Sequence, residues 1–167
     1  RVDYAHPWSV LVARLKRDPA WAPLLARLLV DAPGLPALLQ ATDLMLPIPL
    51  SPDKLRARGY DQAWELTKAL RRQLRDAPPA LPGLLQRRPQ AATQHELARA
   101  QRFDNALQAY AVDPAAGPQL RGRRILLVDD VMTTGATLQS AATLLLAAGA
   151  AQVSALVFAR TPAPTLD

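Results

Sequence analysis

With 167 residues, half of them hydrophobic, the chain is long enough to bury one core with a small appended lobe, and its composition excludes disorder. Only 5% are aromatic, so the core is aliphatic and any base stacking rests on very few rings. A net charge of +6 permits nucleic-acid contact and equally suits a polyanionic substrate, while zero cysteines exclude disulfides, thiolate metal sites and cysteine nucleophiles and make the cytoplasm the expected location.

The start, Arg1-Val2-Asp3-Tyr4, lacks both an apolar signal core and an initiator Met, which suggests a trimmed or partial product. Helix-like runs at about Val10 to Lys16 and Trp21 to Val30, punctuated by Pro19, Pro23, Pro33 and Pro36, suggest a helical lobe over residues 1–40. Residues 41–167 then read as the main core. Asp43 to Leu50 reads as a strand whose proline-rich end, Pro-Ile-Pro-Leu-Ser-Pro, forces a turn and loop. From Tyr60 to Leu74, Ala63, Leu66, Ala69, Leu70 and Leu74 recur at helical spacing, marking a crossover helix. Ala77 to Gly83 is a proline-rich linker, Leu84 to Arg87 a short strand, and Arg88 to Phe103 a polar segment with little core signal. Leu107 to Val112 reads as a strand or extended arm, and Asp113 to Gly122 is turn-rich. Ile125 to Val128, a helix beyond Gly135 that stops near Gly149, and a last strand at Val153 to Phe158 complete the alternation. The apolar Ala141 to Ala159 region is broken by Gly149, Gln152 and Ser154 and does not read as a membrane span, so no membrane insertion is expected. The pattern is α/β, with a mostly parallel central sheet flanked by helices.

Function concentrates between Ile125 and Leu138, where an apolar run without alternation, as in a strand covered on both faces, meets paired carboxylates and then a hydroxyl- and glycine-rich turn. Ligands of such folds sit at carboxyl ends of strands. The turn Thr133, Thr134, Gly135, Ala136, Thr137 opens a helix, so free backbone amides and the helix dipole favour an anion there, and Gly135 lets the backbone approach it. Asp129 and Asp130 would repel that anion and instead need hydroxyls or a divalent metal. A phosphate a few ångströms from a vicinal diol, as in a ribose 5-phosphate, satisfies both halves. Neither a P-loop nor a dinucleotide fingerprint is present, and a simple helix cap needs one hydroxyl rather than several.

The run Val128 to Thr137 resembles the phosphoribosyl pyrophosphate motif of the type I phosphoribosyltransferases. The resemblance implies that Asp129 and Asp130 hold the ribose hydroxyls and engage Mg²⁺, directly or through the ligand, and that Thr133 to Thr137 cradle the 5-phosphate. Ser51 to Gln62 places Lys54, Arg56 and Arg58 in a loop and helix start directly after a strand end, beside Ser51, a grouping suited to pyrophosphate. Pro47 to Ser51 and Arg58 to Gln62 are similar to the ComF/GntX branch of that superfamily, as are Gln94, Leu97, Arg102 and Asn105, with Tyr4, Pro7 and Leu15-Lys16 near the amino end. Two departures stand out: Asp61 replaces the branch's usual Asn, putting a negative charge near the proposed anion site, and the branch's cysteine-rich zinc module is missing.

The same resemblance places Arg88 to Asn105 where these enzymes carry a mobile loop, with Arg102 as its catalytic candidate alongside Asp129 and Asp130, and Gln94 second. His95 reads as a surface residue rather than a base. The implied reaction displaces pyrophosphate from phosphoribosyl pyrophosphate by a nitrogen base, using positioning and leaving-group electrostatics. The acceptor pocket is expected from Ala159 to Pro164 and residues 1–40, which show no base-binding pattern, and Phe158 reads as core. A competing reading is a DNA-uptake accessory protein of natural competence that uses the ribose-phosphate site for a nucleic-acid end or nucleotide, with single-stranded DNA, a competence helicase or DNA-processing proteins as partners. A ligand-sensing regulator is the third reading, although no DNA-reading helix is evident. Oligomer formation is open in all of them.

Overall fold

The computed structural model describes residues 2–88 and 109–161. Val2–Asp3 (β1) leads to Trp8–Leu15 (α1), Ala22–Val30 (α2) and Leu35–Gln40 (α3), then to Leu44–Pro47 (β2). Prolines in the first turns of α2 and α3 start those helices rather than break them, because the missing amide has no intrahelical partner at that position. The same logic starts Pro52–Arg58 (α4) in the proline-rich segment after β2, where a loop and helix start are expected. Ser51 caps it by accepting from the Lys54 amide at 3.4 Å, and Gly59 ends it at φ 81°. Gln62–Gln73 (α5) is the expected crossover helix.

Leu85–Arg87 (β3) and Tyr110–Val112 (β4) form a separate antiparallel ribbon, with Arg87 opposite Tyr110. Gly117–Leu120 (α6), Arg124–Met132 (β5), Ala136–Ala147 (α7) and Gln152–Arg160 (β6) complete the chain. The central sheet has the order β1-β6-β5-β2 with every pairing parallel. Pro79 to Leu81 extends it beyond β2 through backbone bonds to Met45 at 2.9 and 3.2 Å.

β5 lacks alternation because both faces are buried. Leu126 and Val128 pack with Val12, Leu15, Leu25, Leu66 and Phe158 on one face, while Ile125 and Leu127 pack with Leu120, Leu138 and Leu145 on the other. Truncating such a leucine to alanine costs about 2–5 kcal/mol. At the amino end of β5, Arg124 donates to Asp43 from its backbone amide at 2.8 Å and from Nη2 at 2.7 Å, which fixes β5 beside β2. This arrangement holds Asp43 down to a pKa of about 2 through the Arg124 hydrogen bonds. Among the described residues no helix is long and apolar enough to cross a membrane.

Candidate functional site

β5 does not stop at Val128 as its sequence suggests, but carries both carboxylates within the strand and ends at Met132. Beyond Val128 the alternation slips: Val131 packs on the cluster that holds Val128, and Met132 on the one that holds Leu127. The slip falls at the acidic pair, and Asp130 is skipped in the pairing with β6. The Asp129 carboxylate accepts from the Asp130 amide at 2.8 Å, leaving the two side chains close together. Asp129 is 9% exposed and Asp130 3%. Burial, reinforced by the Asp130 charge, pushes Asp129 well above the usual carboxylate range.

The Asp130 carboxylate faces Lys16, the residue that ends α1, with Oδ2 3.2 Å from Nζ. The contact lacks hydrogen-bond geometry, so this Oδ2 has no hydrogen-bond partner. Arg160 Nε is the other buried side-chain atom in that condition among the described residues. Both lie at the carboxyl ends of neighbouring parallel strands, where ligands of open α/β sheets bind. Lys16 is steadied from a distance: the Tyr60 hydroxyl donates to the Leu15 carbonyl at 2.6 Å.

Beyond the carboxylates, Asp129 and residues 131–138 line a cavity of about 30 Å³. Gly135 occupies the cap position of α7 with φ 83°, a conformation costly for other residues, and contributes no side-chain oxygen to the helix amides. Thr133 and Thr134 are exposed, Gly135 to Thr137 half-buried, and the Thr134 hydroxyl reaches only the Ala136 amide, at 3.4 Å. The remaining first-turn amides are available to an anion. A wider groove of about 540 Å³ on α1, lined by Ser9, Val10, Ala13, Arg14, Arg17 and Trp21, has no such set of groups, so chemistry rather than volume marks the site.

The backbone of β2 brings the second segment alongside. Ile48 donates to the Val128 carbonyl at 2.9 Å, so Ser51 and the start of α4 follow directly from the strand next to the acidic pair. Folding as a helix splits the three cations: at 100° per residue Lys54 and Arg58 share a face, while Arg56 points away from it. Arg56 pairs with Asp53 and Arg58 with Gln62, whereas Lys54 has no carboxylate partner among the described residues. Asp61 caps α5, accepting from Trp64 at 3.0 Å and from the Leu50 amide at 2.9 Å. Burial raises its carboxyl above the usual range against those two bonds, which favour the charged form. Its work is therefore to tie the loop after β2 to α5.

Gln94, His95 and Arg102 lie outside the described residues, as does most of the expected loop. Phe158 is 3% exposed and packs edge-on against Trp8, a core residue as read from sequence. Two sets of side chains near the site had no role assigned from sequence: Lys16 with Tyr60, which carried only the family resemblance, and Arg87 with Tyr110 on the ribbon. Arg87 Nη1 donates to the Tyr110 hydroxyl at 3.2 Å, and β4, which carries Tyr110, packs against α7. Tyr110 is 2% exposed, and burial raises its phenol above the ordinary range.

The family model of the phosphoribosyl transferase domain matches residues 68–167. The DNA utilization protein YhgH of Escherichia coli O157:H7 is 34% identical over 171 aligned residues, covering 95% of this chain and 70% of that protein. Competence protein F of Haemophilus influenzae is 33% identical over 163 residues, covering 94% and 69%. Among solved structures, the purine phosphoribosyltransferase of Pyrococcus horikoshii aligns over 86% of this chain and 78% of its own, with 15% identity and a TM-score of 0.46.

Proposed function

We infer, since the chain belongs to the ComF family of the phosphoribosyltransferase superfamily, that it binds phosphoribosyl pyrophosphate with Mg²⁺ and displaces the pyrophosphate with a nitrogen-base acceptor. One observation carries the reading: a buried acidic pair at the carboxyl end of β5 runs directly into an amide-lined cavity at the start of α7. A vicinal diol and a phosphate on one five-carbon sugar are what that pair and that cavity would take together. Asp129 and Asp130 accept from the ribose hydroxyls, and Thr133, Thr134, Gly135, Ala136 and Thr137 hold the 5-phosphate.

On the other side of the sugar, Ser51 with Lys54 and Arg58 faces the leaving pyrophosphate, and Arg56 joins only on leaving Asp53. An exposed pair of that kind is worth at most about 1 kcal/mol, so exchange of partner is cheap. The donor set fits Mg²⁺ that arrives on the ligand. Among the described residues no three His, Cys, Asp or Glu side chains group into a cage, whereas Mg²⁺ commonly uses one or two carboxylates with substrate phosphates and water. When bound, the metal neutralises charge on the departing pyrophosphate. Rate then comes from positioning by the acidic pair and from cations aimed at the leaving group.

The test is thermal and chemical. Phosphoribosyl pyrophosphate with Mg²⁺ raises the melting temperature, and one base or nucleotide in an acceptor screen releases pyrophosphate. No thermal response in the wild-type chain sinks the reading.

A second reading is favoured by the names of the relatives, which concern DNA utilization and competence. On it, the same site takes a nucleotide or nucleic-acid end without turnover, in the cytoplasm, with DNA-processing partners. Silence across the acceptor screen together with salt-sensitive single-stranded DNA binding selects it over the enzyme.

A further inference from the structure

We infer that Arg87, held in place by Tyr110, forms the cationic wall of the phosphate cavity and contacts the phosphate monoester of the ligand. This rests on the ribose-phosphate reading above and adds to it a residue from the ribbon, outside the motif at β5 and α7.

The cavity has a charge problem. Its lining, Asp129 with residues 131–138, contains no cation and one carboxylate. A helix amino end contributes the equivalent of only about half a positive charge. A phosphate dianion beside Asp129 therefore needs a full positive charge from another element. Lys54 and Arg58 follow β2 and are committed to the opposite end of the sugar.

Arg87 meets the need by position and by what it leaves unused. It is half-buried and has no carboxylate partner among the described residues. Its Nη1 donates to the Tyr110 hydroxyl at 3.2 Å, and its guanidinium lies 5.4 Å from the centre of the Tyr110 ring. Tyr110 sits directly across the ribbon from Arg87 and is locked in the core, in the same buried cluster as Leu138 of the cavity lining. One buried tyrosine thus anchors the guanidinium on the strand that packs against the cradle's helix. A guanidinium has five N–H donors in a planar fork. With one of them spent on Tyr110, the fork retains donors for two phosphate oxygens. Tyr110 is a positioning residue: it fixes where that fork points.

The experiment measures binding of three probes, ribose 5-phosphate, phosphoribosyl pyrophosphate with Mg²⁺, and inorganic pyrophosphate, to the wild-type chain and to Arg87→Gln, Arg87→Lys and Tyr110→Phe. Arg87→Gln should weaken both ribose phosphates roughly tenfold or more, the loss expected of a charge-assisted hydrogen bond, and leave pyrophosphate unchanged. Arg87→Lys should recover part of the affinity, since a point charge replaces the fork. Tyr110→Phe should show a smaller loss confined to the same two probes. Unliganded melting temperatures accompany each variant, and Arg87→Lys carries the comparison if Arg87→Gln melts lower. Equal affinity for ribose 5-phosphate in the wild type and both Arg87 variants overturns the assignment, as does an equal loss for pyrophosphate. A wild-type chain that binds neither ribose phosphate overturns the functional reading and this inference with it.

Discussion

Replacing Lys16 with alanine strips Asp130 of the cation that faces it, and the cost follows from the geometry. At 3.2 Å and an effective dielectric near 20, the attraction is about 5 kcal/mol before any offset. Desolvation of a carboxylate that is 5% exposed, and the entropy of holding a lysine that is 37% exposed, cancel most of it. A net loss of about 1–2 kcal/mol remains, below the 3–5 kcal/mol typical when a fully buried pair loses one member. For a chain of this size that lowers the melting temperature by about 2–8 °C. The assay is a double-mutant cycle by thermal unfolding, with Lys16→Ala, Asp130→Asn and both together. If the penalty is an uncompensated buried charge, Asp130→Asn removes most of it, and the double variant melts close to Asp130→Asn alone. Simple additivity within about 0.5 kcal/mol would refute the reasoning, because contacting residues that interact do not add.

Gly135→Ala should cost about 1–2 kcal/mol in urea unfolding, since φ 83° disfavours any L side chain even though the nearest atom to the new Cβ, Met132 Sδ, lies at a comfortable 3.6 Å. Asp43→Asn should flatten the acid limb of stability. The Asp43 pKa falls from 3.8 to about 2 on folding, so its contribution is present above pH 3.8 and is lost as pH drops through about 2, a window that melting curves at stepped pH resolve. Asp61→Ala, which removes the cap of α5 and the anchor of the Leu50 amide, should destabilise by about 0.5–2 kcal/mol. Asp61→Asn should fall between that variant and the wild type in denaturant midpoint, because the Leu50 and Trp64 amides bond to different carboxylate oxygens and Asn keeps only one of these acceptors.

What the sequence made legible is what is local in the chain. The α/β class, the parallel sheet and the strand-turn-helix from Ile125 to α7 are written in contiguous residues, and the acidic pair and the cradle come with them. The short strands of the ribbon were legible too, but two pieces escaped in whole or in part. β1 has two residues, and β5 hid its full length because charged residues seldom continue a buried strand. Prolines blurred boundaries where they act as helix starters: after β2 the point at which the loop gives way to α4 is fixed only once Ser51 is recognised as a cap with Pro52 following it. The same fold dispersed Lys54, Arg56 and Arg58, a cluster in sequence but divided between two faces of α4. Lys16 and Arg87 were invisible as site residues for a different reason. Each is placed by a tyrosine contributed from a distant segment, Tyr60 through the Leu15 carbonyl and Tyr110 across the ribbon, and such pairings appear only once the chain has folded.

Isothermal titration of phosphoribosyl pyrophosphate with Mg²⁺ into the wild-type chain and the Asp129→Asn, Asp130→Asn double variant tests the ribose-phosphate site most directly. Saturable binding by the wild type and none by the double variant is expected, with the double variant's melting curve showing that its amides leave the fold intact. Equal binding by a folded double variant would contradict that site.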